Sequence, residues 1–279
     1  HREPSMSTPV ALPLEIQTEM TNDAYIADFA IDHIRTRDRS RPFFQVCSFN
    51  GPHPPFMIPE PYFSMYDPAT VSVPENFGPQ LDEPEVNKTS YYRQLFLDHG
   101  VDFDSWRKSY AVYWGFTSLI DDQLGRVLSE LEEQDLMKNT IVVFLSDHGE
   151  NLGEWGLYFE HGPNAHDASL RVPLVMAGPG IPSGENNRIA RIEDITPTVL
   201  SMIASDVPTK NLDGRSLVDH WSGPSQGDWV AAESGSPLHA RLGGYLVSGR
   251  KHRLHCIDGP QFSLCKTPNT KAKLFDRKK

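Results

Sequence analysis

Apolar residues recur at helical spacing in two stretches of the chain. The first stretch predicts a helix over residues 21–36, with Thr21 or Asn22 as its N-terminal cap. The expected apolar face of this helix consists of Ile26, Phe29, Ala30 and Ile34. The second stretch predicts a longer helix over residues 105–136, capped by Asp104 or Ser105. Its expected apolar face consists of Tyr113, Phe116, Ile120, Leu124, Val127 and Leu131.

Short apolar runs bounded by polar turns predict strands between the helices. The run "PFFQVCSFN" at 42–50 predicts a buried strand, and "TIVVFLS" at 140–146 and "VPLVMAG" at 172–178 predict two more. We expect a short helix near 166–170 and another over "ITPTVLSMI", capped by Asp194. This alternation predicts an α/β fold, with a mostly parallel central sheet sandwiched by helices.

The pattern changes near residue 222. Short apolar runs separated by glycines follow there, namely "WVAAES", "GGYLVSG" and "HRLHCI", which predict a small antiparallel subdomain. We therefore expect an α/β domain over 1–222 and a C-terminal subdomain over 223–279. Residues 51–104 are rich in Pro, Asp and Asn and predict a long surface loop, a feature that is usually functional or mobile.

Charge and cysteine content narrow the classes of function. A net charge of −11 argues against binding to nucleic acid, which requires a basic surface. The apolar runs are too short to cross a bilayer. The three cysteines show no zinc-binding spacing. Cys256 and Cys265 could bridge a hairpin or remain free thiols.

Polar residues that could bind or react with a ligand follow two of the predicted strands. The carboxyl ends of strands are where α/β sheets bind ligands. Asp147 and His148 follow the strand at 140–146, and Gly149 permits the sharp turn that lets both side chains reach one cation. A carboxylate suits Ca²⁺, Mg²⁺ or Mn²⁺, whereas an added imidazole favours Mn²⁺, Fe or Zn²⁺. The alternative is that Asp147 caps the loop and His148 packs as a neutral core residue.

Three further histidines lie in turn-rich segments. His53, within "GPHPP", could protonate a leaving group or bind an anion, because the pKa of histidine lies near neutral pH. The alternative is an ordinary hydrogen-bonded loop histidine. His161 and His166, within "EHGPNAHD", are candidates for contact with substrate or are solvated loop residues.

Four blocks of the chain carry a pattern more specific than any single motif, namely "PFFQVCSFNGPHPPFMIPEPYFSMYDP", "YAVYWGFTSLIDDQLGRVLSELEEQDLMKNTIVVFLSDHGENLGEWG", "HDASLRVPLVMAGPG" and "IEDITPTVLSMIASDVPTKNLDGRSL". Together these blocks resemble the sulfatase family of the alkaline-phosphatase superfamily. The similarity runs in order from about residue 20 to the final "KLFD". It implies a large α/β sandwich with a small C-terminal antiparallel sheet. It also implies hydrolysis of a sulfate ester or, in close relatives, of a phosphate or phosphonate ester.

The resemblance also implies roles for individual residues. Asp147 and His148 match the paired metal ligands of the family, many members of which have Asn at the second position and bind Ca²⁺. We therefore expect one divalent metal, Ca²⁺ first and Mn²⁺ as the alternative. His53 matches the histidine of the "PHxP" block, which contacts the ester and assists the leaving oxygen. His161 falls where members place a lysine or a histidine on the sulfuryl oxygens.

One family motif is absent from the sequence. Sulfatases use a formylglycine nucleophile made from Cys or Ser in a "CxPSR"-type motif, and none of Cys47, Cys256 and Cys265 lies in such a context. We expect this motif, and further metal-binding aspartates, to lie in an N-terminal part missing from these 279 residues. That part would belong to the same polypeptide or to a partner segment. Residues 1–279 alone are therefore expected to be inactive.

The leading functional hypothesis is metal-dependent hydrolysis of a small-molecule or glycan sulfate ester. One alternative is a phosphonate monoester or phosphodiester hydrolase of the same superfamily. Another is a non-catalytic subunit that binds an anionic glycan. A homo-oligomer is a further expectation, and the family resemblance favours a periplasmic, secreted or lysosomal compartment over the cytoplasm.

Overall fold

The computed structural model of the protein describes residues 11–78, 103–154, 156, 158–161, 167–186, 189–203, 206–218 and 221, together with C-terminal strands at 230–234, 240–242, 245–247, 254–258, 262–266 and 273–276. The chain divides into two compact units. The first comprises residues 1–83, 88–140 and 152–160, and the second comprises residues 84–87, 141–151 and 161–279. The domain boundary expected at 222–223 falls within the second unit and stays a prediction.

The first unit is organised around two helices, α1 at Asn22–Thr36 and α2 at Phe103–Glu133. Strand β1 at Ala11–Leu14 pairs in parallel with β2 at Phe56–Pro59. Strand β5 at Tyr158–Glu160 belongs to the same unit. Short 3₁₀ turns lie at Thr18–Met20, Tyr62–Ser64, Pro68–Thr70 and Met137–Asn139.

Aromatic side chains dominate the core of the first unit. Phe56 of β2 is fully buried and meets Phe159 edge to face, with ring centroids 5.3 Å apart. Trp106 of α2 is also buried, and its indole N–H donates to the carbonyl of Leu152 at 2.7 Å. This hydrogen bond allows the indole to be buried without leaving its N–H donor unsatisfied.

The prediction of α1 is confirmed, but one residue of its expected core face is wrong. Thr21 caps the helix, since its side chain accepts a hydrogen bond from the N–H of Ala24 at 3.2 Å. Phe29, expected in the core, is 67% exposed. Small residues instead occupy much of the buried face, which consists of Asp23, Ala24, Ala27, Ala30, Ile31 and Ile34. Their size lets α1 pack closely on α2, where Arg35 forms an ion pair with Glu130 at 2.7 Å.

Helix α2 is also confirmed, although it begins two residues earlier and ends three residues earlier than predicted. It ends because Asp135 adopts a left-handed φ of 57° and the N–H of Leu136 donates to the carbonyl of Leu131 at 2.8 Å. Its buried face includes Gly115, where an added Cβ would lie 2.0 Å from the carbonyl oxygen of Tyr62. Neither α2 nor any other described helix carries an apolar stretch long enough to cross a membrane.

Two predictions fail in the first unit, one of a strand and one of a loop. Residues 42–50, expected to form a buried strand, pair with no other strand in the described ranges, and Phe44 and Val46 are 82% and 72% exposed. In contrast, β2 lies inside the segment predicted to be a long loop. The strand was missed because the prolines around it obscure the apolar pattern. Its register sets Phe56 opposite Ala11. Residues 79–102 of that predicted loop lie outside the described residues.

The second unit contains the strands that flank the expected metal ligands. Strand β3 at Val142–Leu145 pairs with β6 at Leu174–Ala177 in antiparallel register, unlike the parallel pairing expected of most strands in this sheet. Strand β3 is not fully buried, since Leu145 remains 37% exposed. Strand β4 at Asn151–Leu152 spans the sequence boundary between the units. Helix α3 lies at Asp167–Leu170, and α4 at Ile195–Ile203 follows a 3₁₀ turn at Ile192–Asp194.

The C-terminal strands confirm the expected small antiparallel sheet. They are β7 at Val230–Ser234, β10 at Leu254–Asp258, β11 at Phe262–Lys266 and β12 at Lys273–Asp276, in the order β12-β11-β10-β7. A separate antiparallel pair joins β8 at Ala240–Leu242 to β9 at Tyr245–Val247. The backbone register sets Cys256 opposite Cys265, and a bridge between them stays a prediction.

Candidate functional site

The turn after β3 presents the expected metal ligands at the surface of the second unit. The hydroxyl of Ser146 donates to the carbonyl of His148 at 2.7 Å, and the N–H of His148 donates to Asp147 Oδ1 at 3.0 Å. The side chain of Asp147 is 86% exposed and that of His148 is 39% exposed. The turn is therefore held by local hydrogen bonds while both side chains remain accessible.

Helix α3 holds the next residues of this turn. The N–H of Gly149 donates to the carbonyl of Ser169 at 2.8 Å. A Cβ at Gly149 would lie 2.0 Å from the carbonyl oxygen of Ala168, so only glycine fits this approach of two backbones. Asn151 donates from Nδ2 to the hydroxyl of Ser169 at 2.6 Å, and both residues are buried. Ser169 thus anchors the turn at two points.

The donor atoms of this turn fit a shared divalent cation. His148 Nδ1 lies 3.0 Å from the carbonyl oxygen of Gly149, which can only accept, so the ring hydrogen is on Nδ1 and Nε2 carries the lone pair. That Nε2 lies 3.7 Å from Asp147 Oδ2. Two ligands about 2.4 Å from one Ca²⁺ and at about 90° to each other are about 3.4 Å apart, which is close to this separation. In the described residues, no group of three or more Asp, Glu, His or Cys side chains is arranged to hold a metal, so these two would supply part of a coordination shell.

His161 joins the same cluster. Its ring stacks on that of His148, with centroids 4.1 Å apart and planes inclined by 20°. His161 Nδ1 donates to Glu150 Oε2 at 3.0 Å. Glu150 is only 8% exposed, and its second oxygen, Oε1, is buried with no hydrogen-bond partner in the part of the chain that is described. The structure therefore brings Asp147, His148 and His161 together and adds a buried carboxylate beside them.

His53 belongs to the first unit and is exposed. Its backbone N–H donates to the carbonyl of Asn50 at 3.1 Å, which closes the turn before it. Its Nδ1 lies 2.5 Å from the carbonyl oxygen of Pro54, so Nδ1 carries a hydrogen.

Sequence reasoning missed two acidic residues beside the candidate histidines. Glu150 directly follows the "SDHG" segment, and a carboxylate at that position could have been considered as a partner for a nearby histidine. Asp23 accepts hydrogen bonds from the loop that carries His53, but it lies 27 residues before Asn50, and no local pattern links the two. His166 lies outside the described residues.

Comparison with known families identifies the chain. The sulfatase family model matches residues 3–205. The chain belongs to the sulfatase family. This confirms the resemblance carried by the sequence blocks, and it places Asp147, His148, His161 and His53 of this sulfatase-family chain within the matched region.

Relatives of known function resemble the chain over most of its length. The multifunctional alkaline phosphatase superfamily protein PehA of Trinickia caryophylli is 31% identical over 78% of this chain and 44% of that protein. The choline-sulfatase of Rhizobium meliloti is 29% identical over 88% of this chain and 50% of that protein. The chain thus spans about half the length of the relatives it matches.

Solved structures confirm the alkaline-phosphatase-like α/β fold. The phosphonate monoester hydrolase SpPMH of Silicibacter pomeroyi has a TM-score of 0.77 at 21% identity, covering 100% of this chain and 60% of that one. The phosphonate monoester hydrolase of Agrobacterium radiobacter has a TM-score of 0.71 at 25% identity, covering 95% of this chain and 56% of that one.

Proposed function

We propose that the complete protein containing this chain is a metal-dependent hydrolase of sulfate esters. Membership of the sulfatase family supports this reaction class. The observation that carries the proposal is the cluster in the second unit, where Asp147 Oδ2 and His148 Nε2 lie 3.7 Å apart and His161 stacks on His148. This arrangement combines hard and nitrogen donors for a cation with a second imidazole beside them.

Asp147 and His148 would hold part of the shell of one divalent cation, Ca²⁺ first and Mn²⁺ as the alternative. When bound, such a cation acts as a Lewis acid on the ester oxygens. The carboxylate of Asp147 is exposed, so a cation can reach it from solvent. The hydrogen bond from His148 Nδ1 to Gly149 fixes the ring so that Nε2 is the ligand atom.

His161 would contact the sulfuryl oxygens of the ester. Its hydrogen bond to Glu150 at 3.0 Å fixes both the orientation of the ring and the hydrogen on Nδ1. In its protonated form the ring would donate its Nε2–H to a sulfuryl oxygen of the substrate. The Glu150 side chain is only 8% exposed, so its carboxylate is largely shielded from solvent.

His53 would act as the general acid. As the S–O bond to the leaving group breaks, the protonated imidazole transfers the Nε2 proton to the departing oxygen, which leaves as an alcohol or phenol. The imidazole is left neutral, with its remaining hydrogen on Nδ1 and donated to Pro54. Positioned acids of this kind contribute about 10²–10⁴ to rate.

The nucleophile is proposed to be a formylglycine outside these 279 residues. No cysteine or serine of the chain lies in a "CxPSR"-type motif, and the chain spans 44% and 50% of two relatives. We accordingly expect residues 1–279 alone to hydrolyse neither nitrophenyl sulfate nor nitrophenyl phosphate. Activity should require the segment that supplies the nucleophile.

The second candidate function is hydrolysis of phosphonate monoesters or phosphodiesters. The structures named phosphonate monoester hydrolases, with TM-scores of 0.77 and 0.71, favour it. Both reactions use a metal, a nucleophile and an assisted leaving group. The ligand pair alone therefore supports either substrate class.

Substrate preference of the complete protein separates these functions. The protein should be produced with the enzyme that generates formylglycine and assayed with Ca²⁺ or Mn²⁺ on nitrophenyl sulfate and on the nitrophenyl ester of phenylphosphonate. We expect a higher kcat/KM for the sulfate ester. A higher kcat/KM for the phosphonate would favour the second candidate. Metal-dependent binding of a sulfated glycan without turnover of any ester would instead point to a non-catalytic protein.

A further inference from the structure

We propose that Asp23, in the first turn of α1, is the positioning residue that sets the loop carrying His53. This inference rests on the proposed function, because it assigns Asp23 a role in aligning the general acid. Asp23 contacts the backbone that precedes His53. It acts through the backbone of residues 50 and 51.

One oxygen of Asp23 receives two consecutive backbone amides. Oδ1 accepts from the N–H of Asn50 at 2.8 Å and from the N–H of Gly51 at 3.2 Å. The residue is only 4% exposed, so its carboxylate is removed from water and depends on these donors. Its place in the first helical turn adds favourable interaction with the positive end of the helix dipole.

The opposite side of the loop rests on α2. A Cβ at Gly51 would lie 2.3 Å from Cε2 of Phe116 and 2.8 Å from Cδ1 of Ile120. The glycine therefore sits flat against two apolar side chains, of which Phe116 is buried. The loop is fixed between a polar contact from α1 and a packing contact from α2.

Asn50 transmits this anchor to His53. Its N–H donates to Asp23, and its carbonyl accepts the N–H of His53 at 3.1 Å. The side chain of His53 is in turn oriented by the contact between Nδ1 and the carbonyl of Pro54 at 2.5 Å. A displacement of Asn50 would move the imidazole with it. Misplacement of a reacting group by about 1 Å can cost about 10² in rate.

The test uses the complete protein with three variants on α1. Asp23→Ala removes the acceptor, whereas Asp23→Asn keeps an amide oxygen that can accept both N–H groups. Asp28→Ala is the matched control, because Asp28 lies on the same helix and forms an ion pair with Arg126. Each variant is assayed on phenyl sulfate, whose leaving group needs a proton, and on nitrophenyl sulfate, whose leaving group does not.

We expect Asp23→Ala to lower kcat on phenyl sulfate by about 10–100-fold, because misplacing a reacting group by about 1 Å can cost about 10² in rate. The loss on nitrophenyl sulfate should be less than about threefold, because little proton transfer is needed there. Asp23→Asn should restore most of the activity, and Asp28→Ala should resemble the wild type. Equal losses on the two esters would overturn the positioning role.

A second variant background separates positioning from a general structural defect. In a His53→Ala protein, Asp23→Ala should cause no further loss on phenyl sulfate, since the group that it positions is gone. A multiplicative loss in the double variant would show that Asp23 acts elsewhere and would overturn the proposal.

Amide hydrogen exchange tests the anchor independently of activity. Asp23→Ala should speed exchange at Asn50 and Gly51, and Asp28→Ala should not. Unchanged exchange at both amides would refute the anchor itself. A wild-type protein that binds metal but hydrolyses no ester would refute the proposed function. The role of Asp23 in catalysis would then fall too, whatever the result of the exchange experiment.

Discussion

The two loops that carry the candidate residues are held in different ways. The His53 loop is fixed by a buried carboxylate, Asp23, which accepts two of its amides, and by the packing of Gly51 against Phe116. The turn at Asp147 is also held through its backbone, but the Asp147 side chain is 86% exposed. Beside it, Glu150 keeps a buried oxygen that has no hydrogen-bond partner in the described ranges.

This difference shows which of the two loops is held fully by groups of the chain itself. The His53 loop satisfies its anchor with groups of the chain itself, so its geometry is set by folding. The turn at Asp147 presents exposed donor atoms, which in the proposed function would bind an ion. We therefore expect the first loop to respond to changes in packing and backbone contacts, and the second to respond to metal supply.

The largest effect should come from Asp147→Ala in the complete protein. Removing a metal ligand should lower kcat by about 10³–10⁴, equivalent to several kcal/mol of lost stabilisation in the transition state. Asp206→Ala, at an exposed carboxylate of the same unit, is the matched control and should keep full activity. Metal content measured by elemental analysis should fall only in the first variant. Retained metal with retained turnover would break the comparison.

The next effect should come from His53→Ala. We expect kcat to fall by about 10²–10⁴, the usual contribution of a positioned acid, while metal content is unchanged. The loss should shrink on nitrophenyl sulfate because that leaving group departs without a proton. A fall in metal content on replacing His53 would contradict the separation of roles between the two loops.

Glu150 should have a smaller effect that depends on its hydrogen bond. Glu150→Ala leaves His161 without its acceptor and should lower kcat/KM by about 10–100-fold. Glu150→Gln keeps an acceptor oxygen and should recover part of this loss. Glu193→Gln, at an exposed position of the same unit, serves as the control. If Glu150→Ala matched the wild type, the contact to His161 would have no functional role.

Much of the frame was predictable from sequence, because helical periodicity is a local signal. It located α1, α2 and α4, but it placed Phe29 in the core since periodicity does not report which side chains a neighbouring helix accepts. Asp147, His148 and His161 were predictable because their side chains can bind metals or transfer protons and because the blocks around them resemble a family. Glu150 and Asp23 were not, since their roles depend on contacts across 11 and 27 residues of sequence.

Two glycines offer a stability test of the loops. Gly149→Ala and Gly51→Ala each force a Cβ into contact, at 2.0 Å from a backbone oxygen and 2.3 Å from Phe116 respectively. Each should reduce the free energy of unfolding by about 1–3 kcal/mol, as overpacking usually does. Gly125→Ala, a helical site with no neighbouring atom within 4 Å, should instead stabilise by about 0.5–1 kcal/mol. Thermal unfolding of the three variants gives the comparison, and a stable Gly149→Ala protein would contradict the close approach to α3.

The smallest effect concerns Asp194, a buried anchor of the second unit comparable to Asp23. Burial raises the pKa of this carboxyl group, but hydrogen bonds from the Arg215 amide and from Arg191 outweigh it, so the net pKa is lowered from 3.8. The carboxylate therefore stabilises the fold above about pH 4. That contribution is lost as pH falls through the lowered pKa. Asp194→Asn should lower the melting temperature at neutral pH, and the difference should shrink in acid. A constant difference across this pH range would contradict the assignment.

The proposed function depends most directly on Asp147 and His148 holding one metal ion. We would grow crystals of the complete protein with Mn²⁺ and record an anomalous difference map. We expect a peak within about 2.0–2.6 Å of both Asp147 and His148, the usual range for oxygen and nitrogen ligands. Well-defined Asp147 and His148 side chains turned away from every anomalous peak would contradict it.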